Sequence, residues 1–424
     1  MNGEEYFLPN VKRMFKDPMV VTEGMGAIVR DSEGKEYIDL MTEHGVNFIG
    51  HRNPEVVKAI KDQADRLISM STDLSTIPAS ELARKLAEIA KPLNRCYFLN
   101  AGAEAVECAM YLARKHKARY EIMALYGAFH GRTYGARSLV GWSGYKRGMG
   151  PYLPGVVLSP SYYCYRCSLG LEYPGCGLQC AKMLEDVIRY QSSGDIAAFI
   201  AEPVQGTAGN IPAPDGYFKE VKRILDANDI LFIDDEVFTG FGRTGRIFCI
   251  EHHGVQPDII TCGKAMGGGM PISVVLTNES VAKAFAVDAM MYFTTFGSHP
   301  LSCAAALASI NVILRDGLHE RAARLGEYFM KRLKELAGKQ ELIGDVRGKG
   351  LMIGVELVKD RRTKEPAREE SRRLKEECRK RGVIMPAGQG WLGNVIRMYP
   401  PAVITEEQID KSIGALEESL KAIS

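Results

Sequence analysis

Short apolar runs alternate with helical patterns along the middle of the chain, and no other feature restricts the fold as much. The segment RCYFLNAGAEAVECAMYLARK shows the unit: a strand ending at Leu99, a turn of small residues from Asn100 to Ala103, then a helix with an apolar stripe. Further strands are expected at Ile196–Ala201, Ile230–Asp234 and Asp258–Cys262. Between the first two lies PDGYFKEVKRILDAND, in which Asp215 can cap a helix whose Phe218, Val221, Ile224 and Leu225 share one face. Units of this kind predict an α/β domain, a mainly parallel sheet flanked by helices.

At 424 residues the chain exceeds one simple core, so a second domain is expected. After Pro300 come a small-residue helix, the amphipathic GLHERAARLGEYFMKRLKELAGK, a hairpin-like LIGDVRGKGLMIGVELV and a basic helix near Arg372–Arg381. These read as a smaller α+β domain, which the strand-like GAIVRDSEGKEYIDL near the start can join. The expected division is a large domain over 51–318, with a Cys-rich excursion at 160–182, and a small one assembled from 1–50 and 319–424.

Lysine plus arginine number 54 against 52 acidic residues, a balance that offers neither nucleic acid nor a membrane surface an electrostatic reason to bind. Small molecules are the expected partners. The start, MNGEEYFLPNVKR, lacks the apolar core of a signal peptide, and no apolar run approaches the roughly 20 residues of a membrane span, so a cytoplasmic location is expected.

Glu202, Asp235 and Lys264 each stand at or just after the carboxyl end of an apolar strand, 33 and 29 residues apart. Those separations are close to one βαβ unit, so three adjacent parallel strands would bring an acid, an acid and a lysine to one rim, where open α/β sheets bind ligands. Lys264 is followed by AMGGG, backbone that can approach a ligand closely. A desolvated lysine loses its charge readily and can form a Schiff base with an aldehyde, which is how pyridoxal phosphate is held. That cofactor also needs a carboxylate beside its pyridine nitrogen, for which Asp235 is the candidate. Its phosphate needs backbone amides at a helix N-terminus, and Gly102 and Ala103 supply them.

Together these residues resemble the class III aminotransferases, fold-type I enzymes that use pyridoxal phosphate. The resemblance runs through Gly50-His51, AGAEAVE, FHGRTYGA, AEPVQG, DEVFTGFGRTG, PDIITCGKAMGGGMP, TTFG and RMYPP, in that order. It implies that Lys264 is the Schiff-base lysine and proton shuttle, that Asp235 partners the pyridinium, and that Val237 and Phe129 pack on the two ring faces. It implies that Thr295 reaches the phosphate of a neighbouring subunit's cofactor, hence a homodimer. Arg397 matches the arginine that binds an α-carboxylate, Glu202 the glutamate that pairs with it when no such carboxylate is present, and Arg132 the arginine that holds a distal carboxylate. Phe238 departs from the family, which mostly has a glutamine there, hydrogen-bonded to the ring hydroxyl. The implied reaction moves an amino group from an ω-amino acid, 4-aminobutyrate- or ornithine-like, to 2-oxoglutarate or pyruvate. The alternatives are an amino-acid racemase or epimerase of the same family, and a non-catalytic binding or redox-sensing protein.

Four of the ten cysteines fall within YCYRCSLGLEYPGCGLQC, as C-x2-C, eight residues, C-x3-C. Cys164, Cys167, Cys176 and Cys180 at that spacing suit zinc or an iron–sulfur cluster, with disulfides and free thiols as the alternatives. The scattered Cys96, Cys108, Cys249, Cys262, Cys303 and Cys378 read as small buried hydrophobes.

Overall fold

The computed structural model describes every residue except 1–5, 7, 9–13, 16–18, 287–291 and 424. Seven strands form its main sheet: β1 (Arg95–Leu99), β2 (Glu121–Leu125), β3 (Val156–Ser159), β4 (Ile196–Ala201), β5 (Leu231–Glu236), β6 (Ile259–Cys262) and β7 (Ser273–Thr277). Their spatial order is β1-β7-β6-β5-β4-β2-β3. All pairs are parallel except those of β7, which runs antiparallel to both β6 and β1. Every residue of β2, β4, β5, β6 and β7 is buried. That is why their sequences are near-continuous apolar runs, as sheets covered on both faces require. The α/β fold class expected from the sequence is the one found.

The helix after β1 runs from Gly102 to Lys117. Its start is fixed by Glu104, whose carboxylate accepts the N–H groups of Asn100 and Ala101 at 2.8 and 3.1 Å. The crossover helix before β5 spans Tyr217–Ala227 and buries Phe218, Val221, Ile224 and Leu225 as expected. Its cap is Gly216 rather than Asp215, because the chain enters through a left-handed residue (φ 83°) that glycine tolerates.

The two ends of the chain meet in a four-stranded sheet of spatial order Val21–Met25, Ile28–Asp31, Glu36–Asp39, Val383–Ile384, in which the last strand runs parallel to Glu36–Asp39 and the other pairs are antiparallel. The expected hairpin forms between Ile343–Lys349 and Met352–Asp360, and Val395–Met398 adds a third antiparallel strand carrying Arg397. No single helix among the described residues is long and apolar enough to cross a membrane.

Candidate active site

Register carries the three strand-end residues to one place. Asp234 of β5 lies opposite Ala201 of β4 and Ile260 of β6, so Glu202, Asp235 and Lys264 emerge on the same edge. There a cavity of about 480 Å³ is lined by eight of the ten sequence-predicted ligand residues, all but Thr295 and Arg397.

Asp235 is buried and fully engaged. Its Oδ2 lies 2.6 Å from Nδ1 of His130, while Oδ1 accepts the Val237 N–H at 3.1 Å and the Thr261 hydroxyl at 3.2 Å. His130 shows no exposed side-chain surface, and its Nε2 has no partner among the described residues. Sequence reading missed this residue, although it follows Phe129 in the quoted FHGR motif. A carboxyl group engaged at both oxygens, beside an imidazole nitrogen left without a partner, forms a fixed polar network on the cavity floor.

Lys264 opens a short 3-10 turn with a left-handed backbone (φ 43°), a strained conformation for a residue with a side chain. Burial pushes its amine down to about 8; Asp235 and Glu202 oppose that shift, and Arg397 and Arg243 add to it. Glu202 is buried, accepting the N–H groups of Phe129 at 3.0 Å and Gly206 at 2.9 Å. Burial drives its carboxyl up to about 7, with His130 acting against and Asp235 with that shift.

The turn ahead of the helix is shaped for close approach. A Cβ on Gly102 would stand 2.6 Å from Cγ1 of Val237, so only glycine lets that valine pack there. Glu104 caps Asn100 and Ala101, which leaves the amides of Gly102 and Ala103 to face an anion. The Arg132 guanidinium lies 5.6 Å from the Phe129 ring centroid, within cation–π reach.

Arg397 donates to the Gly206 carbonyl at 2.9 Å and to Gln389 Oε1 at 3.2 Å, and its buried Nε has no partner among the described residues. The ion pair with Glu202 that the resemblance implies is therefore not formed. The Gly206 peptide stands between them, its N–H serving Glu202 and its carbonyl serving Arg397. Thr295 is exposed and lies outside the cavity, whereas Thr294 accepts a hydrogen bond from Asn100 Nδ2 at 3.3 Å.

The cysteine cluster lies elsewhere. Cys164, Cys167, Cys176 and Cys180 line one narrow cavity of about 20 Å³. Among the described residues no three His, Cys, Asp or Glu side chains are grouped to hold a metal ion, and all ten cysteines are free thiols. The disulfide alternative thus finds no bond here, and the zinc or iron–sulfur expectation gains no ligand set among the described residues. Burial raises the Cys164 thiol, and burial together with the other three sulfurs pushes Cys180 up to about 12. Charged groups hold the excursion instead. Tyr163 donates to Glu356, Arg166 Nε to the same carboxylate at 2.5 Å, and Arg347 reaches it at 2.8 Å.

Comparison with known proteins gives this geometry a family. The description "Aminotransferase class-III" matches residues 10–420. A leucine/methionine racemase of Thermococcus litoralis is 41% identical over 97% of this chain and 93% of its own. An acetylornithine aminotransferase of Methanosarcina mazei is 41% identical over 95% of this chain and 92% of its own. An amine transaminase from an uncultivated Pseudomonas species, solved in its PLP-bound form, superposes with a TM-score of 0.94 at 30% identity, covering 100% of both chains. The cavity on the strand-end rim, the buried Asp235–His130 pair and the depressed lysine fit that cofactor, and the chain belongs to the class-III aminotransferases, as a pyridoxal-phosphate-dependent enzyme.

Proposed function

We propose that this aminotransferase takes its amino group from an ω-amino acid of the 4-aminobutyrate or ornithine type and passes it to a 2-oxo acid such as 2-oxoglutarate or pyruvate. The observation that carries this reading is the pair of guanidinium groups, Arg132 at the cavity wall and Arg397 beside it with an unpartnered Nε. A planar fork of donors recognises a carboxylate at two points. The acetylornithine aminotransferase relatives support an ornithine-like donor.

When bound, pyridoxal phosphate supplies an aldehyde that takes up the amino group and a ring that draws electrons from the substrate carbon. In our reading Lys264 bears it covalently and, once displaced, takes the substrate proton at Nζ, a role suited to an amine lowered to about 8. Asp235 would hold the proton on the pyridine nitrogen, its carboxyl fixed in place by His130, the Val237 N–H and the Thr261 hydroxyl. Gly102 and Ala103 offer amides to the phosphate, and Val237 and Phe129 bound the ring. Gln389 and the Gly206 carbonyl hold Arg397 until a carboxylate displaces them.

The homodimer belongs to this reading. It is supported by exposed apolar side chains, Leu74, Ile77, Phe293 and Phe296, near an open groove of about 740 Å³ and around Thr295. So does the division into a large domain and a smaller one drawn from both ends, supported by the pairing of Val383–Ile384 with Glu36–Asp39. A cytoplasmic location remains part of it. The thiol cluster is read as packing for its loop, with zinc or an iron–sulfur centre as the alternative that metal analysis tests.

The experiment offers the purified enzyme N-acetylornithine, ornithine or 4-aminobutyrate with 2-oxoglutarate. Formation of glutamate supports the proposal. A second reading, racemisation, is favoured by the 41% identity to the Thermococcus racemase. Loss of optical rotation from one enantiomer of leucine or methionine, at constant concentration and without oxo acid, would establish it over the first.

A further inference from the structure

Phe238 stands where most of the family resembled here has a glutamine, and the structure shows what the ring does. It is buried and wedged between two backbones: a Cβ on Gly45 would lie 2.3 Å from its Cε2, and one on Gly206 2.3 Å from its Cδ1. Tyr399 meets it edge-on at 5.1 Å between centroids. Both glycines must stay side-chain-free for the ring to fit, so its orientation is set from three sides. That orientation puts the ring 3.9 Å from the Nζ of Lys264. The same Nζ has no hydrogen-bond or ion-pair partner among the described residues.

The charges around Lys264 act in opposite directions. Asp235 and Glu202 favour its cation, Arg397 and Arg243 disfavour it, and burial outweighs each of them. His44 also faces this group, but burial, Arg397, Lys264 and Arg132 push it down to about 4, so it is neutral near pH 7. The aromatic face is different in kind. Its quadrupole attracts a cation at this distance and does almost nothing for a neutral amine.

We propose that the face of Phe238 holds the Lys264 nitrogen in its protonated form, both as the free amine and in its link to the cofactor, in place of a hydrogen-bonding side chain at this position. The inference rests on the assignment of Lys264 as the cofactor-bearing lysine. With the cofactor bound there, a proton held at that nitrogen would keep the linked carbon electron-poor, the state in which an incoming amine can add. Phe238 is thus a positioning residue for the proton on which the first step depends.

The test is a pH titration of the holoenzyme's visible cofactor band in wild type, Phe238→Leu and Phe238→Tyr, with Phe238→Met as a second variant should the leucine fail to fold. Leucine or methionine keeps apolar volume and removes the π face, whereas tyrosine keeps the face. We expect the tyrosine variant to titrate with wild type, and the leucine or methionine variant to lose its proton about 0.4 to 1.5 pH units lower, the size of one cation–π contact. A leucine variant that binds cofactor and titrates like wild type overturns the proposal, as does a tyrosine variant that follows the leucine. Borohydride reduction and peptide mapping of each variant keep the two assignments separate. Label on a lysine other than 264 refutes the site assignment, whereas label on Lys264 with an unmoved titration refutes the role of Phe238.

Discussion

Two buried glutamates show how differently the same side chain is used. Glu202, on the strand-end rim, is 5% exposed; Glu356, under the cysteine-rich excursion, is 1% exposed. Burial raises both. At Glu202 the partners are backbone N–H groups and the Asp235 carboxylate adds to the effect of burial, so the upward push wins and the group reaches about 7. At Glu356 burial is outweighed by Arg347, by the Tyr163 hydroxyl and by Arg166, and the carboxyl ends below its ordinary value. The rim holds its acid against its preference, which is how groups poised near working pH are made. The excursion holds its acid as a staple.

The largest effect should come at the rim. Lys264→Ala is expected to lower transamination by at least about 10²- to 10⁴-fold, the worth of a positioned proton carrier, while thermal unfolding stays cooperative. Rates of single turnover with and without added alkylamine check it, and a near-normal rate would move the catalytic assignment away from this rim. Arg397→Ala should raise KM for the carboxylate-bearing donor by about 10- to 150-fold, the loss of a charged hydrogen bond, with a smaller change in kcat.

At the excursion the expectation reverses. Glu356→Ala leaves Arg166 without its carboxylate and the buried Arg347 with Asp345 alone, and should cost about 3–5 kcal/mol in urea unfolding, with kcat per folded molecule close to wild type. If activity fell while stability held, the two regions would not be separable as drawn here.

The pH dependence sharpens the same contrast. A carboxyl raised in the folded state binds its proton more tightly there than when unfolded. Glu202 therefore contributes stability that is fully present below about pH 4.5 and lost as pH rises through about 7. Glu356 has the opposite sign: its contribution is present above about 4.5 and lost as pH falls through its lower folded value. Unfolding free energies of wild type, Glu202→Ala and Glu356→Ala at pH 4, 5.5 and 7.5 should diverge in those directions. The smallest effect is expected from Cys164→Ser with Cys167→Ser, within about 1 kcal/mol of wild type. One equivalent of zinc or an iron–sulfur absorption in the wild-type protein would replace the packing reading with a metal site.

Much of the rim was legible before any coordinates. Apolar runs ending in Glu202, Asp235 and Lys264 at βαβ spacing could hardly lie far apart, because parallel neighbours in one sheet start and end together. The antiparallel β7 was not legible, since a run buried on both faces reads the same in either direction. Nor was the mate of Asp235: His130 lies 105 residues away in sequence and becomes a partner only when β2 and β5 share a sheet. The cysteines show the converse case. Their spacing is local and conspicuous, yet among the described residues no three of these side chains are grouped as a ligand set, because spacing along the chain does not fix where the sulfurs point.

The sequence by itself determined the strand periods, the glycine positions and the chemical types on the rim, because these depend on near neighbours and on side-chain chemistry. Only the tertiary structure decided that Arg397 rests on Gly206 and Gln389 rather than on Glu202, and that the ring of Phe238 stands over Lys264. Those contacts join separate elements, Arg397 to Gly206 across 191 residues, and their energies depend on burial and distance, which exist only once the chain has folded.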